Sequence, residues 1–162
     1  MSLEMMQFAP LVLITPLLVT IALCDLKYLK ISNRLVLTML AGFILSAPLF
    51  LSGHEAAYRA ITGCAVFALG VAGFAFRLWG GGDVKAIAVL TLFVPGYSLL
   101  LFAFTFSASM ALGMIIVLTG RVLLGSPNFH WSALRPEAGY PMGVSIAMSG
   151  ISLPWIAMIL SG

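Results

Sequence analysis

The sequence predicts an all-α fold, a bundle of about six transmembrane helices formed by a single domain over residues 1–162. Composition is the first indication, because 62% of the residues are hydrophobic and 8% are charged, against about a quarter charged in soluble globular proteins. The second is that the apolar residues form runs approaching the roughly 20 residues that cross a bilayer, separated by short polar turns. The formal net charge of +3 is small, so no nucleic-acid partner is predicted.

Particular residues support the assignment of the individual spans. The first is expected to be retained rather than cleaved as a leader, because Glu4 precedes it without any Lys or Arg. A short link, 52–58, joins the second to the third, which is rich in Gly and Ala and therefore predicts close helix packing. Pro95 and Gly96 end the fourth, whose 11 or so residues cover only about 16 Å. The approximate ranges are 8–24, 35–51, 59–78, 84–94, 97–119 and 140–160.

The basic residues test this number of spans. With six spans, seven of the eight Lys and Arg residues fall on one face and Arg59 falls on the other. The positive-inside rule assigns the basic face to the cytoplasm. Both termini are then outside, and Asp25 and Asp83 lie at the cytoplasmic ends of their spans. The seven residues on the basic face are Lys27, Lys30, Arg34, Arg77, Lys85, Arg121 and Arg135.

Asp25 and Asp83 are the two aspartates of the chain, and both adjoin long apolar runs. A carboxylate near hydrocarbon is costly, roughly 2.5–3.5 kcal/mol at a helix centre and less near the interface. Because paired carboxylates are a common acid/base apparatus, the two residues predict one shared catalytic site. Structural explanations stay open for both. Asp83 opens a helix and can cap its free N–H groups, whereas Asp25 can pair with Lys27 or Lys30.

Gly80, Gly81 and Gly82 directly precede Asp83, and Lys85 follows it by two residues. Consecutive glycines permit positive φ angles and leave the space beside Asp83 free of side chains. We therefore expect this segment to shape a substrate-binding loop. A flexible loop without a ligand would have the same composition.

The other residue types of catalytic and metal chemistry are scattered along the chain. Cys24 and Cys64 lie in separate apolar runs, and His54 and His130 lie in predicted loops. These positions predict buried small hydrophobes and loop residues, with no metal site and no disulfide. A serine protease is disfavoured because the chain has no Gly-x-Ser-x-Gly motif. No cofactor is expected.

Three segments resemble the type IV prepilin peptidases, a family of intramembrane aspartic proteases. Residues 80–85, Gly-Gly-Gly-Asp-Val-Lys, are similar to the Gly-x-Gly-Asp signature of that family. Residues 25–33 resemble its first motif, in which an Asp is followed six residues later by Ile-Pro-Asn or a similar triplet. Residues 140–143, Tyr-Pro-Met-Gly, resemble the Pro-Tyr-Gly stretch that opens the last helix of the short members. The resemblance covers nearly the whole chain, and two aspartate motifs in order make it specific.

The sequence departs from the family pattern at two positions. Ser32 stands where Pro is usual, although Ser can cap the following helix, and Ala86 stands where Leu is common. The long members also carry a cytoplasmic loop with two Cys-x-x-Cys pairs and an N-methyltransferase activity, and this sequence has no such pairs. It is more similar to the short Tad/Flp-type enzymes, which implies cleavage without methylation.

The resemblance implies an aspartic endopeptidase of the bacterial inner membrane, with Asp25 and Asp83 as a catalytic dyad at the cytoplasmic face. One carboxyl would hold a proton while the other activates a water. The implied partners are a prepilin-like precursor, whose short basic leader is removed, and membrane lipid. The oligomeric state is not predicted.

Two functions of other classes stay open from the residues alone. A small proton- or cation-coupled carrier would use the aspartates as ion ligands, although carriers often have internal repeats and sites near the midplane. The sequence contains no convincing repeat. A non-enzymatic membrane assembly factor would not require paired acids. Cleavage of a pilin precursor by the purified protein distinguishes the three.

Overall fold

The computed structural model describes residues 6–126 and 130–161, so Glu4 and its flank lie outside the described residues. Within those ranges the chain forms α-helices and two short 3-10 turns, Gly96–Ser98 and Ser132–Leu134, and no strand. The predicted all-α class is therefore confirmed. The helices are α1 (Ala9–Leu13), α2 (Thr15–Tyr28), α3 (Asn33–Phe50), α4 (Gly53–Ala75), α5 (Gly81–Thr91), α6 (Leu99–Leu124) and α7 (Met142–Ser161).

Four of the described helices, α3, α4, α6 and α7, are long and apolar enough to cross a membrane. The chain is thus a polytopic helical bundle, although four helices rather than six have the full length of a span. The predicted first span is divided into α1 and α2 at Ile14. The break follows from Pro16, which cannot donate an N–H to the carbonyl of Val12 and whose ring crowds that carbonyl.

Two helix starts differ from the prediction. The predicted link 52–58 is wrong, because α4 begins at Gly53 and Ser52 caps it by accepting the N–H of Glu55 at 3.2 Å. Helix α5 begins at Gly81 rather than Val84, which places Asp83 inside its first turn. The predicted cap of α3 is confirmed, since the hydroxyl of Ser32 accepts the N–H of Leu35 at 3.3 Å.

Helix α5 lies at the centre of the bundle, where it packs against α3, α4 and α7. Its residues Val84, Ala86 and Leu90 are buried. Because neighbouring helices cover its sides, α5 has less need of the length that a lipid-facing span requires. The predicted small-residue interface is also confirmed, since any side chain at Gly63 or Gly70 of α4 would collide with the side chains of α5 or the residue after it.

A buried arginine joins the other end of the bundle. Arg59 is fully buried, and its Nε donates to Oε1 of Glu55 at 2.9 Å. Its two remaining nitrogens donate to the carbonyls of Phe93, at 3.1 Å, and Gln7, at 3.2 Å. The same Glu55 oxygen accepts the N–H of Gly96 at 3.2 Å. These bonds fasten the start of α4 to the chain after α5 and to the residues before α1.

Candidate active site

The two aspartates line one cavity of about 440 Å³. Asp25 comes from the last turn of α2 and Asp83 from the first turn of α5. The predicted juxtaposition of two residues distant in sequence is therefore present in the fold. The cavity is also lined by Gly80, Gly81, Gly82 and Lys85, and by Leu29, Lys30, Ile31, Asn33, Gly139 and Tyr140.

Asp25 is held by the start of the last helix. Its side chain is 4% exposed, and its Oδ2 accepts the backbone N–H of Gly143 at 2.6 Å. Gly143 lies in the first turn of α7, where the free N–H groups and the helix dipole favour a negative charge. This contact offsets the unfavourable position of a carboxylate at the carboxyl end of α2. Lys27, one of the two lysines expected to pair with Asp25, has its Nζ over the ring of Tyr28, 5.1 Å from the ring centroid.

Gly143 has no room for a side chain. A Cβ atom there would lie 2.8 Å from the Cβ of Asp25 and 2.9 Å from its Oδ2. The sequence marked Gly143 only as part of a motif resemblance. Its role as the donor to Asp25 depends on the meeting of α2 and α7, which no local pattern encodes.

Asp83 is half-buried and is the third residue of α5, so its predicted position at the start of a helix is confirmed. The backbone N–H of Gly80, the residue before the helix, favours the ionised form of its carboxyl. The carboxyl lies at the cavity wall. Burial and the nearby charge of Asp25 raise the pKa of Asp83 to about 6, against the effect of Gly80.

Asp25 lies beyond the predicted first span, 8–24, and outside the four long helices. Burial raises the pKa of its carboxyl, and the hydrogen bond from Gly143 opposes that shift. Both carboxyls therefore favour the protonated form more than an exposed aspartate does. Two such groups in one polar cavity titrate as a pair, and they keep a proton to higher pH than exposed aspartates do.

The three glycines act through space and not through unusual backbone angles. The prediction of positive φ angles is wrong, since none of the described glycines has a positive φ, and Gly81 and Gly82 belong to α5. A Cβ at Gly80 would lie 2.6 Å from Oδ2 of Asp83, and one at Gly82 would lie 3.1 Å from the carbonyl oxygen of Ile31. The glycines thus leave room for the carboxyl and for the close approach of the 29–32 turn.

Polar residues other than the aspartates also line the cavity, among them Lys85, Asn33 and Tyr140. Nζ of Lys85 donates to Oδ1 of Asn33 at 3.1 Å, which links α5 to the start of α3. The hydroxyl of Tyr140 lies 2.5 Å from Oγ of Ser145, and burial raises the pKa of Tyr140. Among residues 6–126 and 130–161, no group of three His, Cys, Asp or Glu side chains is arranged to hold a metal ion.

Comparison with known proteins identifies the family of this chain. The type IV leader peptidase family matches residues 12–118, a segment that contains both Asp25 and Asp83. A protein of Bacillus subtilis (strain 168) named prepilin leader peptidase/N-methyltransferase is 33% identical over 127 residues, which cover 75% of this chain and 50% of that protein. The chain therefore spans about half the length of this curated relative. No solved structure matches the chain significantly. Because the family match covers well over half of the sequence, the chain belongs to the type IV leader peptidase family.

Proposed function

We propose that this chain is a membrane-embedded aspartic endopeptidase that removes the cytoplasmic leader from a prepilin-like precursor. The observation that carries the proposal is that Asp25 and Asp83, from two helices distant in sequence, line the same cavity. Family membership and the name of the Bacillus subtilis relative support the class of reaction and of substrate. The cavity, at about 440 Å³, has room for a water and a short stretch of peptide.

The proposed reaction uses the aspartates as one acid/base pair. The ionised carboxyl removes a proton from a water, whose oxygen attacks the carbonyl carbon of the scissile peptide bond. The protonated carboxyl donates its hydrogen to the developing oxyanion. Collapse of the tetrahedral intermediate breaks the C–N bond, and the leaving nitrogen takes a proton from the pair. The raised pKa of Asp83, about 6, supports a proton that stays on the pair closer to neutral pH than it would on an exposed aspartate.

The orientation of the enzyme is part of the proposal. The excess of Lys and Arg on one face supports a cavity at the cytoplasmic side of a bacterial inner membrane. A leader that lies in the cytoplasm ahead of an apolar segment would reach the cavity from that side. We propose hydrolysis alone for this chain, because its two cysteines, Cys24 and Cys64, are not arranged as Cys-x-x-Cys pairs.

The proposal is tested by changing one carboxyl at a time. Asp25→Asn and Asp83→Asn keep the size of the side chain and remove its ionisation, so each should reduce cleavage of a labelled precursor by at least about 1,000-fold. Glu137→Gln is the matched control, because Glu137 is exposed and does not line the cavity. Retained cleavage by both Asn variants would refute the dyad. Proton-coupled uptake without cleavage by the wild type would favour the carrier.

A further inference from the structure

A second cavity, of about 220 Å³, lies against the other side of Asp83. It is lined by residues of α4, α5 and α6, by Trp79 in the segment before α5, and by Met142, the first residue of α7. Asp83 is its one charged lining residue and also lines the 440 Å³ cavity that contains Asp25. We call the second cavity the apolar cleft. Asp83 therefore lies at the boundary between a polar cavity and an apolar one.

The apolar cleft opens towards the outer surface of the bundle. Leu69 of α4 contributes to its lining and is 71% exposed. In the described part of the chain, α4 and α6 do not pack extensively against each other, so a gap remains between them. Met110 of α6 also lines the cleft. An apolar group can thus reach Asp83 sideways, from the hydrocarbon region, without crossing the polar cavity.

The size of the apolar cleft limits what it can hold. An engineered apolar cavity of roughly 150 Å³ takes up benzene, so about 220 Å³ accommodates one large aliphatic or aromatic side chain. A whole helix would not fit. A peptide bond positioned at Asp83 would have polar surroundings on one side and this apolar space on the other.

We propose that the apolar cleft is a substrate subsite that binds a large apolar side chain of the precursor next to the scissile bond. This inference rests on the proposed peptidase function and adds a location for substrate selection. The leader of the precursor would lie on the side of the polar cavity, where Asp25 and Asp83 are the acidic residues, while its apolar flank enters between α4 and α6. A large side chain at Leu69 would close the entrance.

The test compares two tryptophan substitutions on the same helix. Leu69→Trp fills the apolar cleft, whereas Ile61→Trp is the matched control, because Ile61 is 70% exposed and lines none of the cavities described above. Leu69→Trp should lower kcat/KM for the precursor by about 10-fold or more, and Ile61→Trp should stay within about twofold of the wild type. With a precursor whose apolar flank is changed to alanine, the two variants should differ by less than about threefold. Equal cleavage of the native precursor by both variants would overturn the subsite.

A crosslinking measurement does not depend on turnover. A precursor carrying a photoreactive leucine beside the cut bond is bound to the Asp83→Asn variant and irradiated. Adducts on α4 or α6 at Leu69 or Met110 would support the subsite, while adducts on α3, or labelling of the cleft by photoreactive lipid alone, would overturn it. If the wild type cuts no precursor, the proposed function fails and the subsite with it. If it cuts while the cleft is unused, only the subsite fails.

Discussion

Each of the two aspartates lies beside a backbone N–H at the start of a helix. Gly143 of α7 donates to Asp25, and the N–H of Gly80 favours the ionised form of Asp83 at the start of α5. Both donors lie where the helix dipole favours negative charge. In both places a glycine is required by space, because a side chain would touch the carboxyl it serves. Main-chain groups therefore position the carboxyls, and the other acceptor sites of the carboxyl oxygens are left for a water or a substrate.

Adding one methyl group at Gly143 tests whether this residue positions the carboxyl of Asp25. Gly143→Ala would place a Cβ 2.9 Å from Oδ2 of Asp25 and force the carboxyl away from its donor. We expect kcat to fall by about 10- to 100-fold and the pH dependence of cleavage to shift. Gly53→Ala is the control, since a Cβ at Gly53 meets nothing within 4 Å. An unchanged pH profile with wild-type kcat in Gly143→Ala would contradict the positioning role.

The raised pKa of Asp83 makes folding stability depend on pH. Its pKa rises from an ordinary value of 3.8 to about 6, so the folded state holds a proton that the unfolded state has lost. The contribution is fully present below about pH 4 and is lost as pH rises through about 6. Thermal unfolding in detergent should therefore show a fall in Tm across this window that is smaller in Asp83→Asn. Equal slopes in Asp83→Asn, Glu137→Gln and the wild type would contradict the shift.

Among the elements, the short helix α5 connects the two ends of the bundle. Its first turn carries Asp83, and the residue Phe93 that follows the helix gives its carbonyl to Arg59. Arg59 also donates hydrogen bonds to Glu55 and to the carbonyl of Gln7, so one side chain links three separate segments of the chain. A fully buried guanidinium of this kind is tolerated because its N–H groups find acceptors.

Removing this arginine should weaken the attachment of α5. Arg59→Met removes the charged partner of Glu55, which keeps the N–H of Gly96, and leaves the carbonyls of Phe93 and Gln7 without this donor. We expect a loss of about 3–5 kcal/mol of unfolding free energy. Arg34→Met is the control, because Arg34 is exposed and should change stability by no more than about 0.5 kcal/mol. Denaturant or thermal unfolding in detergent measures both. Similar losses in the two variants would show that the buried hydrogen bonds of Arg59 do not add to the unfolding free energy.

At the scale of the whole molecule, the bundle separates a lipid-facing surface from a polar interior at one end. Large apolar side chains such as Leu45, Leu49 and Leu100 are more than 70% exposed, as a surface covered by hydrocarbon requires. In the described part of the chain, the buried charged side chains are Arg59 at one end and Asp25 at the other, where the half-buried Asp83 lines the same cavity. A short central helix bridges the two polar regions.

The orientation of this bundle can be measured in intact cells. Single cysteines introduced as His54→Cys and Glu137→Cys, in a chain with Cys24→Ala and Cys64→Ala, report the two ends, since both positions are exposed. With the basic face in the cytoplasm, a membrane-impermeant maleimide added outside should label position 54 and leave position 137 unlabelled until the cells are opened. The reverse pattern would place the cavity outside and contradict the cytoplasmic leader.

The sequence by itself determined the class of the fold and the residues that bear its chemistry. Long apolar runs form helices in a bilayer, because every backbone N–H and C=O must be hydrogen-bonded within the segment. Asp25 and Asp83 stood out because the cost of a carboxylate near hydrocarbon is a property of the residue and its neighbours. The family resemblance drawn from their motifs was confirmed by the match over residues 12–118.

Only the tertiary structure decided which groups meet. The segment 52–58 was predicted as a polar link between two spans, yet it is helical. The adjacent Arg59 is buried because the carbonyls of Gln7 and Phe93, from distant parts of the chain, accept its N–H groups. The donor from Gly143 to Asp25 and the position of Asp83 between two cavities likewise depend on helices packed in three dimensions. The cost of burying a polar group can be inferred from its residue type, but the partner that offsets this cost is chosen by packing between distant segments.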